Sequence, residues 1–195
     1  MKARLVFFWI MLLTGWLGHS QARDRGTFEV IPIIGFTSSN IYGTYGESTS
    51  NRYDYQAGVM GDYYFNDRWS IRSGLAYYSM GTQGAIFQTK LDYLNIPVNA
   101  NWHFGSTRKW NLNFGLTPGF LLAAERQGED LGDMFHSFHL ASCIGIGYKL
   151  EITKNFSLLI DYQSLIGLTK IDKEPEYSGI RNSSSSFNLG AVFAF

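Results

Sequence analysis

The last nine residues of the chain alternate: Phe187, Leu189, Ala191, Phe193 and Phe195 are separated by Asn188, Gly190, Val192 and Ala194, and the row ends on the terminal carboxylate. Alternation with period two makes a strand with two unlike faces. A terminal row of this kind is how a membrane-barrel strand is written, and seven earlier segments repeat it. Period-two reading predicts eight strands: Thr27–Phe36, Tyr53–Phe65, Trp69–Met80, Leu91–Phe104, Lys109–Ala124, Phe138–Glu151, Phe156–Leu165 and Ser185–Phe195. Each strand alone is a weak signal, since a tilted span needs only about 10 residues, so the series carries the inference.

Connection lengths alternate as well. Asn66–Arg68, Gly105–Arg108 and Ile152–Asn155 are short, whereas the connections after the first, third, fifth and seventh strands are long and polar, led by Thr37–Arg52 and Ile166–Ser184. Outer-membrane barrels keep short turns on the periplasmic side and long loops outside. The fold expected is therefore all-β: an eight-stranded antiparallel up-and-down transmembrane β-barrel with periplasmic termini.

A soluble barrel alternates too, with its greasy face turned inward. Three features favour the membrane orientation. The bulky apolar set (Val59, Leu75, Ile96, Leu116, Ile146, Ile160) opposes a face studded with Gly58, Gly74, Gly115, Gly119, Gly145 and Gly147, and small residues suit a narrow interior. Trp69, Trp102 and Trp110 all flank short turns, as an aromatic girdle at the periplasmic interface would. The polar face offers Asn95, Asn99, Asn101, Asn111 and Asn113 with few Lys or Glu, the reverse of a solvated wall. Pro32, Pro97 and Pro118 lie inside expected strands, where bulges or widened pairing are expected without reversal of register.

Composition narrows the address. Residues 1–22 read as a cleavable signal peptide, with Lys2 and Arg4, the apolar run Leu5–Leu13 and a Ser20-Gln21-Ala22 cleavage pattern, leaving residues 23–195 as one outer-membrane barrel domain. That domain carries 14 basic against 16 acidic residues, so it lacks the basic footprint of a nucleic-acid binder. Cys143 is the single cysteine, which excludes an intramolecular disulfide.

Gly74-Leu75-Ala76-Tyr77, Gly81 and the string Leu91-Asp92-Tyr93-Leu94-Asn95-Ile96-Pro97 resemble the PorT-like outer-membrane β-barrel family of Bacteroidota. The resemblance runs over nearly everything after the leader, and Leu-x-Tyr-Leu-x-Ile-Pro is its most specific part. It implies an outer-membrane barrel, in a family whose namesake is associated with a secretion system for cell-surface proteins. Asn95 stands where such proteins often carry Glu. The resemblance implies no catalytic residue.

Few residues suggest chemistry. Hairpin register across Asn66–Arg68 places Asp62 opposite Arg72 on the lumen face, and Asp54, Lys149 and Asp161 are expected to extend this pair into a polar network that plugs the lumen. Glu129, Asp130, Asp133, His136, Ser137 and His139 crowd one loop, but His136 and His139 fall on opposite sides of an extended chain and no ligand spacing accompanies them. His103, neighbouring Asn111, and Cys143 read as buried structural residues, and Ser183–Ser186 as a loop running into the last strand.

The reading is a noncatalytic outer-membrane barrel that displays its loops, as an envelope or secretion-system accessory, with no cofactor and no metal. Its expected partners are outer-membrane lipid and lipopolysaccharide, the barrel-insertion machinery through the strand ending at Phe195, and an envelope protein; nucleic acid is not among them. Two alternatives stand beside it. One is a lipid-modifying enzyme, an acyl hydrolase of lipid A or phospholipid using His136, Ser137 or His139; the other is a narrow ion or solute conduit. Tyr42, Tyr45, Tyr53 and Tyr177 are aromatic contact groups for the loops.

Overall fold

The structure, a computed structural model, describes residues 23–43, 50–84, 88–173 and 179–195. The expected leader, residues 1–22, lies outside the described residues, as do Tyr45 and Tyr177. Among the described residues ten strands form: β1 Phe28–Tyr42, β2 Ser50–Tyr64, β3 Trp69–Gln83, β4 Gln88–Asn95, β5 Val98–Phe104, β6 Trp110–Arg126, β7 Glu129–Asp130, β8 Phe138–Glu151, β9 Phe156–Gly167 and β10 Arg181–Ala194. Each neighbouring pair is antiparallel, and the ring closes where β1 pairs with β10. Because β4 and β5 lie end to end between β3 and β6, the ring has eight staves. Among the described residues no helix is long and apolar enough to cross a membrane.

The apolar rows face outward. Ile34 is 63% exposed and Leu189 54%, while Asp62, Asn101, Asn111, Asn113 and Asp161 are fully buried. A soluble monomer rarely exposes such a continuous apolar surface, so this face needs hydrocarbon as its solvent. Trp69, Trp102 and Trp110 stand at the short-turn end, with Trp69 in register with Trp102, Phe104 with Trp110, and Trp110 with Tyr148. A second belt, not anticipated from sequence, lies ten residues farther along β6: Phe120 meets Phe138 at 5.7 Å, and Phe36 stacks on Tyr53 at 5.8 Å. Ten residues of tilted strand rise about 25 Å, the height of the apolar band of an outer-membrane barrel.

The short turns are set locally. The Asn66 side-chain carbonyl accepts from the amides of Arg68 and Trp69 at 2.8 and 3.0 Å, an Asx turn that fixes the β2–β3 register. At the other end the sequence boundaries need correction. The segments Thr37–Arg52 and Ile166–Ser184, read as loops, are strand at both ends, because β1 runs to Tyr42, β2 begins at Ser50, β9 runs to Gly167 and β10 begins at Arg181. Ser183–Ser186 belongs to β10, with Ser185 paired to Ser38 and Ser183 to Asn40. Serines face both sides there, so no amphipathic signal marks the strand; ladder hydrogen bonds are indifferent to it.

The prolines act differently from one another. At Pro97 the fourth expected strand, Leu91–Phe104, divides into β4 and β5, yet Asn95 pairs with Ala76 and Val98 with Ser73, so the register continues unshifted. Pro32 leaves a gap in the β1–β10 ladder between Val30 and Ile33, again in phase, and Pro118 keeps its place opposite Leu140. The true register shifts lie elsewhere, between Asn51 and Gln56 and at Leu122, which has no partner between the Asp92–Ala123 and Tyr93–Leu121 pairs.

The glycines allow the narrow bore. A Cβ built on Gly115 would sit 2.1 Å from the backbone oxygen of Val98 and 2.5 Å from Asn99 Oδ1. Gly115→Ala is expected to destabilise the barrel by about 1–3 kcal/mol, the usual cost of overpacking. Urea unfolding from lipid vesicles, read by heat-modifiable gel mobility, checks this; an unchanged midpoint would contradict the close approach.

Candidate functional site

The interior of the barrel holds a chain of charges. Lys109 meets Glu151 at 3.6 Å, Glu151 meets Arg23 at 3.9 Å, and Arg23 meets Glu29 at 2.8 Å. Glu29 pairs with Lys149, Lys149 reaches Asp62 at 3.5 Å, Asp62 pairs with Arg72 at 2.9 Å, and Arg72 lies 3.9 Å from Asp161. Signs alternate at every step, so four cations offset four anions from the turn-end rim into the lumen. Isolated charges could not be buried this deeply; neutrality along the chain is what permits it.

Hydrogen bonds complete the shell. Asn101 donates to Asp62 at 3.2 Å, Asn113 to Asp161 at 3.2 Å, and the Lys149 ammonium to the Tyr64 hydroxyl at 2.6 Å. His103 is bonded to Ser70 Oγ at 2.8 Å and stacks on Tyr64, in register with Asn111. At the rim, burial opposes the charge on Arg23, but its hydrogen bond to Glu29 and the nearby charges of Glu29, Tyr64 and Glu151 hold its pKa above the ordinary arginine value.

The structure therefore brings Asp62, Arg72, Lys149 and Asp161 together. Asp54 stands apart: it belongs to a second cluster toward the long-loop end, where it pairs with Arg52 and accepts from Ser79 at 2.9 Å, while Ser79 also donates to Asp92 at 2.8 Å. Between the two clusters the buried side chains are mixed: Ile31, Met60 and Tyr78 are apolar, while Gln56 donates to Asn188, which reaches Asp161 at 3.5 Å, and accepts from Thr37 at 3.2 Å. Glu29 and Arg23 were missed by sequence reading. Glu29 was legible, since it shares the inward phase of Ile31 and Ile33; Arg23 precedes the strand and has no phase to read.

The long-loop end is capped. Beyond β6, Gln127 and Gly128 take φ of 53° and 86°, forming a two-residue hairpin with Arg126 opposite Glu129. The chain then makes a 3-10 turn at Gly132–Met134 and docks on the β9–β10 connection. The His136 amide donates to the Ile171 carbonyl at 2.8 Å, the Lys173 amide to the Met134 carbonyl at 3.0 Å, and Phe135 bridges to Asp172. Phe135 and Ile171 are thereby buried in the core that includes Leu91, Tyr93 and Ala124.

The crowded loop residues are dispersed by this arrangement. His136 and Ser137 are exposed, whereas His139 points into the barrel, bonded to Asn95 Oδ1 at 3.2 Å and packed on Tyr93. Cys143 is buried beside Asn99 and Asn113. Among the described residues no group of three or more His, Cys, Asp and Glu side chains is placed to hold a metal ion.

Removing one member of the charge chain leaves its partner buried and unpaired. Arg72→Met is expected to cost about 3–5 kcal/mol, and the double variant Arg72→Met/Asp62→Asn to recover part of that loss. Urea unfolding of the three proteins in the same vesicles checks it; equal stability of wild type and Arg72→Met would refute a buried, obligatory pair.

Comparison with known proteins places this architecture. Neisserial surface protein A aligns with a TM-score of 0.56 at 15% identity, covering 88% of this chain and 100% of that one. The outer membrane protein OprG of Pseudomonas aeruginosa aligns at 0.55 and 14% identity, covering 91% and 99%, and the N-terminal barrel domain of OprF from the same organism at 0.50 and 16%, covering 89% and 100%. At these identities the likeness concerns the fold. No curated protein sequence matches the chain. The model of the outer membrane protein beta-barrel domain family matches residues 19–173. The charge-filled, lipid-facing ring is thus a bacterial outer-membrane barrel, and the chain belongs to the outer membrane protein beta-barrel domain family.

Proposed function

We propose that this protein is a noncatalytic outer-membrane scaffold whose rigid barrel presents a folded loop platform at the cell surface, with its turn end and termini in the periplasm. The observation that carries the reading is the docking of the β7–β8 and β9–β10 connections on one another, with Phe135 and Ile171 anchored in the core. Loops held this way form a fixed surface rather than tethers, and binding residues are commonly carried on loops that a scaffold positions. The exposed platform includes Met134, His136, Ser137 and Leu168.

The resemblance of the Leu-x-Tyr-Leu-x-Ile-Pro string to PorT-like barrels supports an envelope or secretion-system accessory, with an envelope protein as the platform's partner. Export through the leader and insertion through the strand ending at Phe195 belong to the same reading. The charge chain and the buried apolar and hydrogen-bonded side chains above it fill the lumen, which supports a scaffold over a conduit. The separation of His139 from exposed His136 and Ser137 weighs against an acyl hydrolase, because base and nucleophile must meet.

Orientation is tested by single cysteines in a Cys143→Ser background. A membrane-impermeant maleimide applied to intact cells is expected to label Asp133→Cys and to spare Ser106→Cys; the opposite pattern would invert the topology. In planar bilayers the purified barrel is expected to give no large, stable conductance steps, and their appearance would replace the scaffold reading with a channel. Co-purification from detergent-solubilised outer membrane is expected to retain a partner that loop exchange at Gly132–His136 releases.

A further inference from the structure

A cleft of about 390 Å³ opens at the long-loop end, between the last residues of β6, the β6–β7 hairpin and the docked cap. It exists because the β6–β8 ladder stops at Phe120 and Phe138, while β6 continues to Arg126. Past that point the β6–β7 ladder holds Glu125 and Arg126, and below it the Leu121 amide bonds to the Ser137 carbonyl and the Leu131 amide to the Ala124 carbonyl, each 2.8 Å. Between them the wall stands open. Its volume lies within the range of ligand sites, about 300–1,000 Å³, and far above that of a trapped water.

The lining is two-sided. Leu121, Leu122, Ala124 and Phe135 make it apolar, and unpaired Leu122, 58% exposed, stands two residues beyond Phe120 of the outer aromatic belt, so this surface runs into the lipid-facing wall. Glu125 and Asp130 supply carboxylates from the hairpin, and Lys173 supplies an ammonium from the cap. An apolar surface continuous with the membrane and a rim carrying both signs call for a molecule with an alkyl chain and a dipolar head. A uniformly anionic head would meet two carboxylates, and a purely cationic one would leave Lys173 unanswered.

We propose that this cleft binds a zwitterionic phospholipid in single-chain form. Its chain runs over Leu122 toward Phe120, its ammonium faces Glu125 and Asp130, and its phosphate faces Lys173. The site lies outside the lumen and needs no protein partner, so it is independent of the scaffold reading.

The test uses native mass spectrometry of the full-length protein released from maltoside micelles, with hexadecylphosphocholine, hexadecyl sulfate and hexadecyltrimethylammonium as probes. The expected result is one retained phosphocholine adduct, at least fivefold more abundant than either singly charged probe. Ala123→Trp, which fills the cleft, is expected to remove the adduct while the heat-modifiable gel shift reports an intact barrel. Lys173→Gln is expected to move the preference to the trimethylammonium probe, and Glu125→Gln/Asp130→Asn to move it to the sulfate. Equal retention of all three probes, or retention by folded Ala123→Trp, would show only general detergent adhesion and overturn the proposal.

Discussion

Hydrocarbon offers no hydrogen bonds to a peptide group, and from that single fact the architecture follows. A sheet in lipid must close, and here it closes through the β1–β10 ladder, where Phe36 faces Phe187 and Glu29 faces Ala194. The alternation at the C-terminus thus has two roles: it clads the outer wall and it supplies the strand that removes the last open edge. Interruptions at Pro32 and Pro97 are tolerated because neither displaces register, so every residue beyond them keeps its face.

Closure with so few staves creates the next demand, an interior that must be filled from inward side chains alone. Glycines make room: Gly115 for Asn99, Gly119 for Asn95 and His139, and Gly147 for Asn111 and for Asp161, where the charge chain from Lys109 ends. Alternating signs turn a costly set of buried ions into a neutral, hydrogen-bonded filling. Above it, Ile31, Met60 and Tyr78 pack beside the hydrogen-bonded Asn188, Gln56 and Thr37, below the Arg52–Asp54 cluster near the cap. Polarity in the lumen therefore serves packing.

That end is where strand pairing gives way to irregular structure. β6 outlasts its partner β8, a hairpin turns it back, and the cap anchors Phe135 and Ile171 in the core. The cleft beside Leu122 is a consequence of the same mismatch in length. On the proposed reading, function lies in what the mismatch exposes rather than in the barrel itself.

Much of this was legible in the residues. Period two named the staves and their faces, since each side chain's side of the wall follows from its phase, and the Asp62–Arg72 pairing followed from the register of a short turn. Glu29 could have been read the same way. Other features had no local signal: serines on both faces hid the outer parts of β1 and β10, Arg23 enters the charge chain from outside any strand, and Asp54 lies within the irregular β2–β3 stretch between Asn51 and Gln56, eight residues from Asp62. The amino-acid order by itself determined the membrane-facing ring, because alternation is a property of consecutive residues. Only the tertiary structure decided which charges meet, that the Met134–His136 and Ile171–Lys173 segments dock on one another, and where a cleft remains, because those depend on strands distant in sequence ending at different heights.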